Sequence, residues 1–140
     1  MPIDLSPLKN AIQRLDEGME RYLRDTADTQ IRDGLIQRFE FTYELSHKLL
    51  KRYLESASAT PGEFDTADFP YLIRSANEQG LLLGDWPKWK QFRDMRAKTS
   101  HTYDENIALA VVKGIPEFQQ EAHYLLDQII RRGIPSSGSV

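Results

Sequence analysis

Apolar residues recur at intervals of three or four along almost the whole chain, and this spacing restricts its fold more than any other feature. The first run comprises Leu5, Leu8, Ile12, Leu15, Met19 and Tyr22. A second, longer run without proline comprises Ile31, Leu35, Phe39, Thr42, Leu45, Leu49 and Tyr53. Such intervals place apolar side chains on one face of an α-helix. The two-residue alternation of a strand is not found, so the sequence predicts an all-α protein.

Turn-forming residues divide the rest of the chain. Residues 55–68 are rich in Ser, Ala, Thr, Pro and Gly and are predicted to form a loop. A shorter third helix is expected over residues 69–78, and Gly80 should end it. The fourth helix carries a stripe of aromatic and apolar side chains at intervals of three residues. We expect these side chains to lie in the core rather than bind a cofactor. This stripe comprises Trp86, Trp89, Phe92 and Met95.

The last helix is predicted to begin with a capping box. Thr102 and Glu105 have the spacing at which a hydroxyl and a carboxylate each satisfy a free amide at a helix start. Apolar residues then recur at helical spacing to Ile130. Gly114 and Pro116 are expected to bend or divide this helix.

Size and composition exclude several classes of protein. The 140 residues suit one domain, and we expect a helical domain over residues 1–132 and a flexible tail over residues 133–140. The chain has no cysteine, which excludes disulfides and thiolate metal sites. It shows no signal peptide and no apolar run long enough to span a bilayer, so we expect a cytoplasmic protein without a membrane partner. A net charge of -3 disfavours nonspecific nucleic-acid binding, and any RNA chemistry must use a local basic patch.

Residues 96–105 bring three chemically useful side chains together. Arg96 offers a planar fork of donors for a phosphate, His101 can exchange a proton near neutral pH, and Tyr103 has a hydroxyl that can accept a transferred group. A polar run of this kind is also typical of a solvated junction between two helices. Spacing alone favours the junction.

A helix break would bring the first two of these side chains to one site. In a continuous helix Arg96 and His101 would point about 140° apart, because each residue turns the helix by about 100°. If one helix ends near Lys98 and the next begins near Thr102, His101 lies at the junction. The free amides of the second helix would then add a site for a phosphate oxygen, which Arg96 could also face.

Glu40 and Glu44 lie one turn apart on the second helix, beside Arg38 and Lys48. They could brace Arg96 or form a salt-bridged helix face, and the pattern alone favours the salt-bridged face. No metal site is predicted, because the acidic residues are scattered over helix faces. His47 and His123 have no convincing ligand partner, so we expect surface or hydrogen-bonded structural roles for them.

The spacing of Arg96, His101 and Tyr103 matches the Arg-x4-His-x-Tyr motif of HEPN-domain proteins. In particular, the chain resembles the HepT-like toxins, long labelled nucleotidyltransferase substrate-binding proteins. The resemblance extends over residues 5–131 and includes residues 36–45, Trp86, Trp89 and residues 99–105.

The resemblance implies an antiparallel up-and-down bundle of four to five helices that forms a homodimer. It also implies a metal-independent endoribonuclease without a cofactor, in which Arg96 and His101 form the catalytic pair. A minimal nucleotidyltransferase antitoxin would silence the enzyme by transferring AMP to Tyr103. Since the reaction needs both an acid and a base, a twofold dimer would bring two copies of His101 to one cleft.

One position departs from the family pattern. Ala97 follows the arginine, where a polar residue, often Asn, is usual. The role of the usual polar residue could have moved to Lys98, Thr99 or Ser100.

An alternative is that the protein is a catalytically inactive helical dimer that binds a nucleotidyltransferase as its substrate-binding subunit. A third alternative is a helical bundle whose polar junction is purely structural. No glycine-rich phosphate loop or nucleotidyltransferase carboxylate pair is evident, so we expect the chain to receive AMP rather than transfer it.

Overall fold

A computed structural model describes residues 3–65 and 67–133 of the chain. It contains five α-helices, which are α1 (Ser6–Arg24), α2 (Thr29–Ala57), α3 (Phe69–Glu78), α4 (Trp86–Lys98) and α5 (Glu105–Arg131). Two short 3-10 helices lie at Pro61–Phe64 and Thr99–His101. The described residues form no strand, so the prediction of an all-α protein is confirmed.

The helices form an antiparallel up-and-down bundle. The long helices α1, α2 and α5 pack together, and the shorter α3 and α4 close the remaining side. Aromatic rings fill the centre at edge-to-face angles, with the Phe118 centroid 5.1 Å from that of Phe39 and 5.2 Å from that of Phe92. Trp89 is fully buried among them, while Trp86 and Met95 pack at the edge, so the stripe of the fourth helix is confirmed as core.

A buried carboxylate joins the loop before α4 to α5. Glu121 accepts hydrogen bonds from the Leu83 and Gly84 amides, both at 2.7 Å, and from the Trp89 indole nitrogen at 2.8 Å. Burial raises the pKa of Glu121. No local sequence pattern indicates this role for Glu121, because its donors lie more than thirty positions away along the chain.

Two predictions concern the last helix, and the predicted capping box is wrong. Thr102 and Glu105 do not form a capping box, because Asp104 caps α5 by accepting hydrogen bonds from the amides of Asn106 and Ile107. The helix also runs through Gly114 and Pro116 without division. The nearby Ile115 and Phe118 side chains are fully buried, and their packing outweighs the local cost of the proline. The Met95 side chain packs against Gly114 and occupies the space that a side chain at position 114 would need.

The remaining boundaries are close to those predicted. Helix α2 continues to Ala57, which shortens the predicted loop. Gly80, after α3, has a φ of 76°, in the left-handed region that favours glycine. The predicted tail lies outside the described residues except for Gly133. Within the described ranges, no helix is both long enough and apolar enough to cross a membrane.

We expect His47 to make the stability of this fold depend on pH. The imidazole is half-buried with its centroid 4.7 Å from that of Phe69, and burial lowers its pKa below the ordinary 6.5. The unfolded chain therefore binds this proton more readily than the folded chain. Neutral His47 should make its full contribution to the free energy of unfolding above about pH 6.5. This contribution should be lost as the pH falls through the lowered pKa of the folded state.

Urea unfolding of the wild type and of His47→Gln between pH 5 and pH 7.5 measures this effect. The loss of stability below about pH 6.5 should be smaller in His47→Gln than in the wild type. His101→Gln is the matched control, because His101 is exposed. Equal pH dependence in the wild type and His47→Gln would contradict the prediction.

Candidate active site

The polar stretch forms a break between two helices. Helix α4 ends at Lys98, the 3-10 helix Thr99–His101 follows, and α5 begins at Glu105 rather than near Thr102. The break predicted near Lys98 is therefore confirmed. Arg96 lies in the last turn of α4, and His101 lies in the exposed turn between the helices.

Arg96 is held by side chains of α2. Its Nε donates to Glu44 Oε1 at 3.2 Å, its Nη2 donates to the same oxygen, and Glu40 Oε1 lies 3.5 Å from Nη2. The hydrogen bond with Glu44 is the largest cause of a raised pKa for Arg96, so the guanidinium stays charged. The preferred interpretation of Glu40 and Glu44 as a salt-bridged face of their own helix is wrong, because both carboxylates pair with Arg96 across the bundle.

Thr99 completes the support of Arg96. Its hydroxyl is buried and accepts a hydrogen bond from Arg96 Nη1 at 3.3 Å. The same hydroxyl lies 3.0 Å from Glu40 Oε2 and 2.8 Å from the Arg96 carbonyl oxygen, either of which can accept its proton. Among the described residues, Glu44 and Thr99 together bind three of the five N–H groups of Arg96. Two N–H groups lie outside these hydrogen bonds, and the guanidinium is only partly buried.

His101 and Tyr103 are neighbours on the exposed side of the break. Their ring centroids lie 6.1 Å apart, and Tyr103 is 86% exposed. A phenol this accessible can be reached by another protein. Of the other predicted supporting residues, Ser100 donates to the Ala97 carbonyl at 3.5 Å and Lys98 is exposed.

Two amides at the start of α5 are not free for the predicted phosphate site. The Asp104 carboxylate accepts hydrogen bonds from the Asn106 amide at 2.9 Å and the Ile107 amide at 3.2 Å, so an anion of the protein already satisfies them. These two amides are therefore occupied, and Arg96 is the cation that α2 holds at this break.

A second ion pair, which was not predicted from the sequence, fixes the start of α5. The buried Arg32 forms a bidentate pair with Glu105, with distances of 2.6 Å for Nη1 to Oε1 and 3.1 Å for Nη2 to Oε2. The hydrogen bond from Arg32 lowers the pKa of Glu105. The two residues are 73 positions apart, and no local pattern connects them.

The other two histidines contact residues outside the break. His123 Nε2 lies 2.7 Å from Asp16 Oδ2, and His47 packs against Phe69. Over residues 3–65 and 67–133, no three side chains of His, Cys, Asp or Glu are placed to hold a metal ion together. The arrangement at the break instead places a fixed cation and an exposed imidazole within six consecutive residues, a combination suited to acid–base chemistry on a phosphate.

Residues 3–131 match the model of the family described as nucleotidyltransferase substrate binding protein like. The chain belongs to this family. It is 43% identical over 99 residues to the probable ribonuclease HepT of Haemophilus influenzae. That alignment covers 71% of this chain and 67% of the relative.

Solved structures support the same assignment. The HI0074 protein of Haemophilus influenzae, described as having the fold of a substrate binding domain of a nucleotidyltransferase, superposes with a TM-score of 0.83. It is 36% identical, and the match covers 90% of this chain and 98% of that protein. A protein of Thermus thermophilus superposes with a TM-score of 0.71 at 30% identity, over 87% of this chain and 98% of the other. The resemblance to HepT-like proteins is therefore confirmed.

Proposed function

We propose that this family member is a metal-independent endoribonuclease and the toxin of a toxin–antitoxin pair. The observation that carries the proposal is the break between α4 and α5, at which Arg96 is fixed by Glu44 and Thr99 while His101 remains exposed. The relative of this chain in Haemophilus influenzae bears the name of a probable ribonuclease, which supports the same chemistry.

The proposed reaction uses the 2'-hydroxyl of RNA as its nucleophile. His101 takes the proton of this hydroxyl, and the oxygen attacks the adjacent phosphorus. Arg96 stabilises the negative charge that accumulates on the phosphoryl oxygens. The bond from phosphorus to the 5'-oxygen breaks, and that oxygen takes up a proton. The products are a 2',3'-cyclic phosphate and a 5'-hydroxyl, and both can be identified after cleavage in EDTA.

The proposal includes a homodimer. One imidazole at the break cannot act as base and as acid in the same step, so a second His101 from a twofold-related copy would protonate the leaving oxygen. Light scattering at micromolar concentration measures the assembly. A strict monomer that cleaves RNA would reject the shared site.

We expect Glu44→Ala to cleave RNA up to about a hundredfold more slowly than the wild type, because Arg96 would lose the carboxylate that orients it. Glu44→Gln keeps an acceptor oxygen and should retain most of the rate. The effect should appear in kcat, since Glu44 acts through Arg96. Glu55→Ala is the matched control, being another glutamate of α2. Equal rates for Glu44→Ala and the wild type would show that Glu44 does not position Arg96.

The proposed partner is a minimal nucleotidyltransferase that silences the enzyme at Tyr103. The phenol oxygen would attack the α-phosphorus of ATP, the bond to the β-phosphate would break, and pyrophosphate would leave. The phenol proton passes to a base of the partner or to solvent. The attached AMP would place a phosphodiester anion and a nucleoside beside His101, which opposes entry of RNA by both charge and bulk.

We expect incubation with the cognate nucleotidyltransferase, ATP and Mg2+ to add AMP to Tyr103 and to abolish RNA cleavage. Tandem mass spectrometry locates the added mass. Tyr71→Phe is the matched control, because Tyr71 is also an exposed tyrosine but lies on α3. AMP on other residues alone, or equal silencing of Tyr103→Phe, would contradict this switch.

A second candidate function rests on Ala97. This exposed position has no side-chain donor or acceptor, and the family description refers to substrate binding. The chain would then dock a nucleotidyltransferase without cleaving RNA. A folded wild type that forms the complex but leaves RNA intact would favour this function, and Ala97→Asn would test whether one polar group restores cleavage.

A further inference from the structure

A long groove runs along the seam between α1 and α2. Its main part is a cavity of about 630 Å³ whose lining includes Arg14, Phe41 and Lys48. A smaller cavity of about 210 Å³ adjoins it, shares Gly34 and Arg38 with it, and adds Arg21. We call the two cavities together the α1–α2 groove.

The α1–α2 groove carries an excess of positive charge. Four cations line it, namely Arg14, Arg21, Arg38 and Lys48. Among the described residues that line it, Glu44 is the one carboxylate, and its charge is paired with Arg96. The whole chain has a net charge of -3, so the positive charge here is a local property of this seam. Such a concentration of cations attracts polyanions.

Two features of the groove suit a nucleic acid strand in particular. Arg38 is held in place by a hydrogen bond from its Nη1 to the Arg14 carbonyl oxygen at 2.7 Å, so a cation is already oriented before any ligand binds. Phe41 is 50% exposed and lies among the cations. An exposed aromatic ring between cations can stack a nucleobase while its neighbours bind the phosphates.

The groove also leads to the candidate active site. Glu44 lines the groove and binds Arg96, so the two sites share a residue. We propose that the α1–α2 groove binds a single-stranded segment of the RNA substrate next to the phosphate that is cleaved. A base stacks on Phe41, and phosphates contact Arg14 and Lys48. This inference rests on the proposed ribonuclease function and names where its substrate binds.

Binding of fluorescein-labelled single-stranded oligoadenylate tests the groove. His101→Ala serves as the parent protein, so that cleavage does not obscure binding, and anisotropy is measured over a range of salt concentrations. Adding Phe41→Ala should weaken binding about fivefold or more. Adding Arg14→Ala or Lys48→Ala should make the slope of log affinity against log salt shallower by about 0.7 for each lost phosphate contact.

Controls come from α3, which does not line the groove. Tyr71→Ala removes another exposed aromatic side chain, and Arg74→Ala removes another exposed cation. Neither should change the affinity or the salt slope. Unchanged binding by Phe41→Ala and Lys48→Ala would overturn the proposal. Conversion of a dimer to a monomer by Phe41→Ala in sedimentation velocity would also overturn it, because a second copy of the chain would then occupy the groove.

The outcomes separate the groove from the ribonuclease function. If the wild type cleaves RNA while the groove variants bind like their parent, the groove proposal fails and the function stands. If the groove variants weaken binding but the wild type leaves RNA intact, the groove binds RNA and the cleavage function fails.

Discussion

His101→Ala and Arg96→Ala should each cleave RNA about a hundredfold or more slowly than the wild type. The first variant loses the group that takes the 2'-hydroxyl proton, and the second loses the cation that stabilises the charged phosphoryl group. Losing one such transition-state contact typically costs about a hundredfold. Gel analysis of a labelled RNA in EDTA measures the rate, and circular dichroism verifies that each variant keeps its helices.

Two variants serve as matched controls for this comparison. His123→Ala removes an exposed histidine that pairs with Asp16, and Arg74→Ala removes an exposed arginine of α3. Both should cleave RNA at the rate of the wild type. Full activity of His101→Ala would reject the role of His101 in the mechanism. Wild-type cleavage that stops when EDTA is added would reject a metal-independent mechanism.

Trp89→Ala should lower the free energy of unfolding by about 3–5 kcal/mol. The indole is fully buried, with its centroid 5.4 Å from that of Phe92 and 6.2 Å from that of Phe118. Alanine leaves a cavity at this place and removes a hydrogen bond to the buried Glu121 carboxylate. The free energy of unfolding of a small domain is only about 5–15 kcal/mol, so this loss is a large share of the total. Urea denaturation followed by circular dichroism measures the change.

A milder variant separates the two causes. Trp89→Phe keeps much of the aromatic ring but loses the indole N–H. It should therefore lower the free energy of unfolding less than Trp89→Ala does. Glu121 would keep its hydrogen bonds from the Leu83 and Gly84 amides. Leu109→Ala is the surface control, because Leu109 is exposed and should change stability little. A Trp89→Ala protein within about 1 kcal/mol of the wild type would show that the aromatic core tolerates this cavity.

The helices could be predicted from the sequence because their signals are local. The sequence predicts the third helix over residues 69–78, and it is observed as Phe69–Glu78. The sequence also predicts a break near Lys98, and α4 ends at that residue. Apolar spacing and turn residues act within a few positions along the chain, so they remain informative without knowledge of the partner helices.

The contacts that build the site could not be predicted in this way. Arg96 and Glu44 are separated by 52 positions, and the sequence placed Glu44 next to Arg38 and Lys48 instead. In the folded protein, Arg38 binds the Arg14 carbonyl oxygen. Several cations could neutralise Glu44 on charge alone, and only the packing of α4 against α2 selects Arg96.

The sequence by itself determined the all-α class, the approximate extent of the helices, and the presence of Arg96, His101 and Tyr103 around one break. The tertiary structure decided which carboxylates hold Arg96, that Arg32 anchors Glu105, and that Glu121 closes the loop before α4. It also decided that Asp104 rather than Thr102 caps α5. Helix formation and the Asp104 cap depend on residues close together in the sequence. The ion pairs and the buried hydrogen bonds of Glu121 join distant segments, so they exist only once the helices have packed.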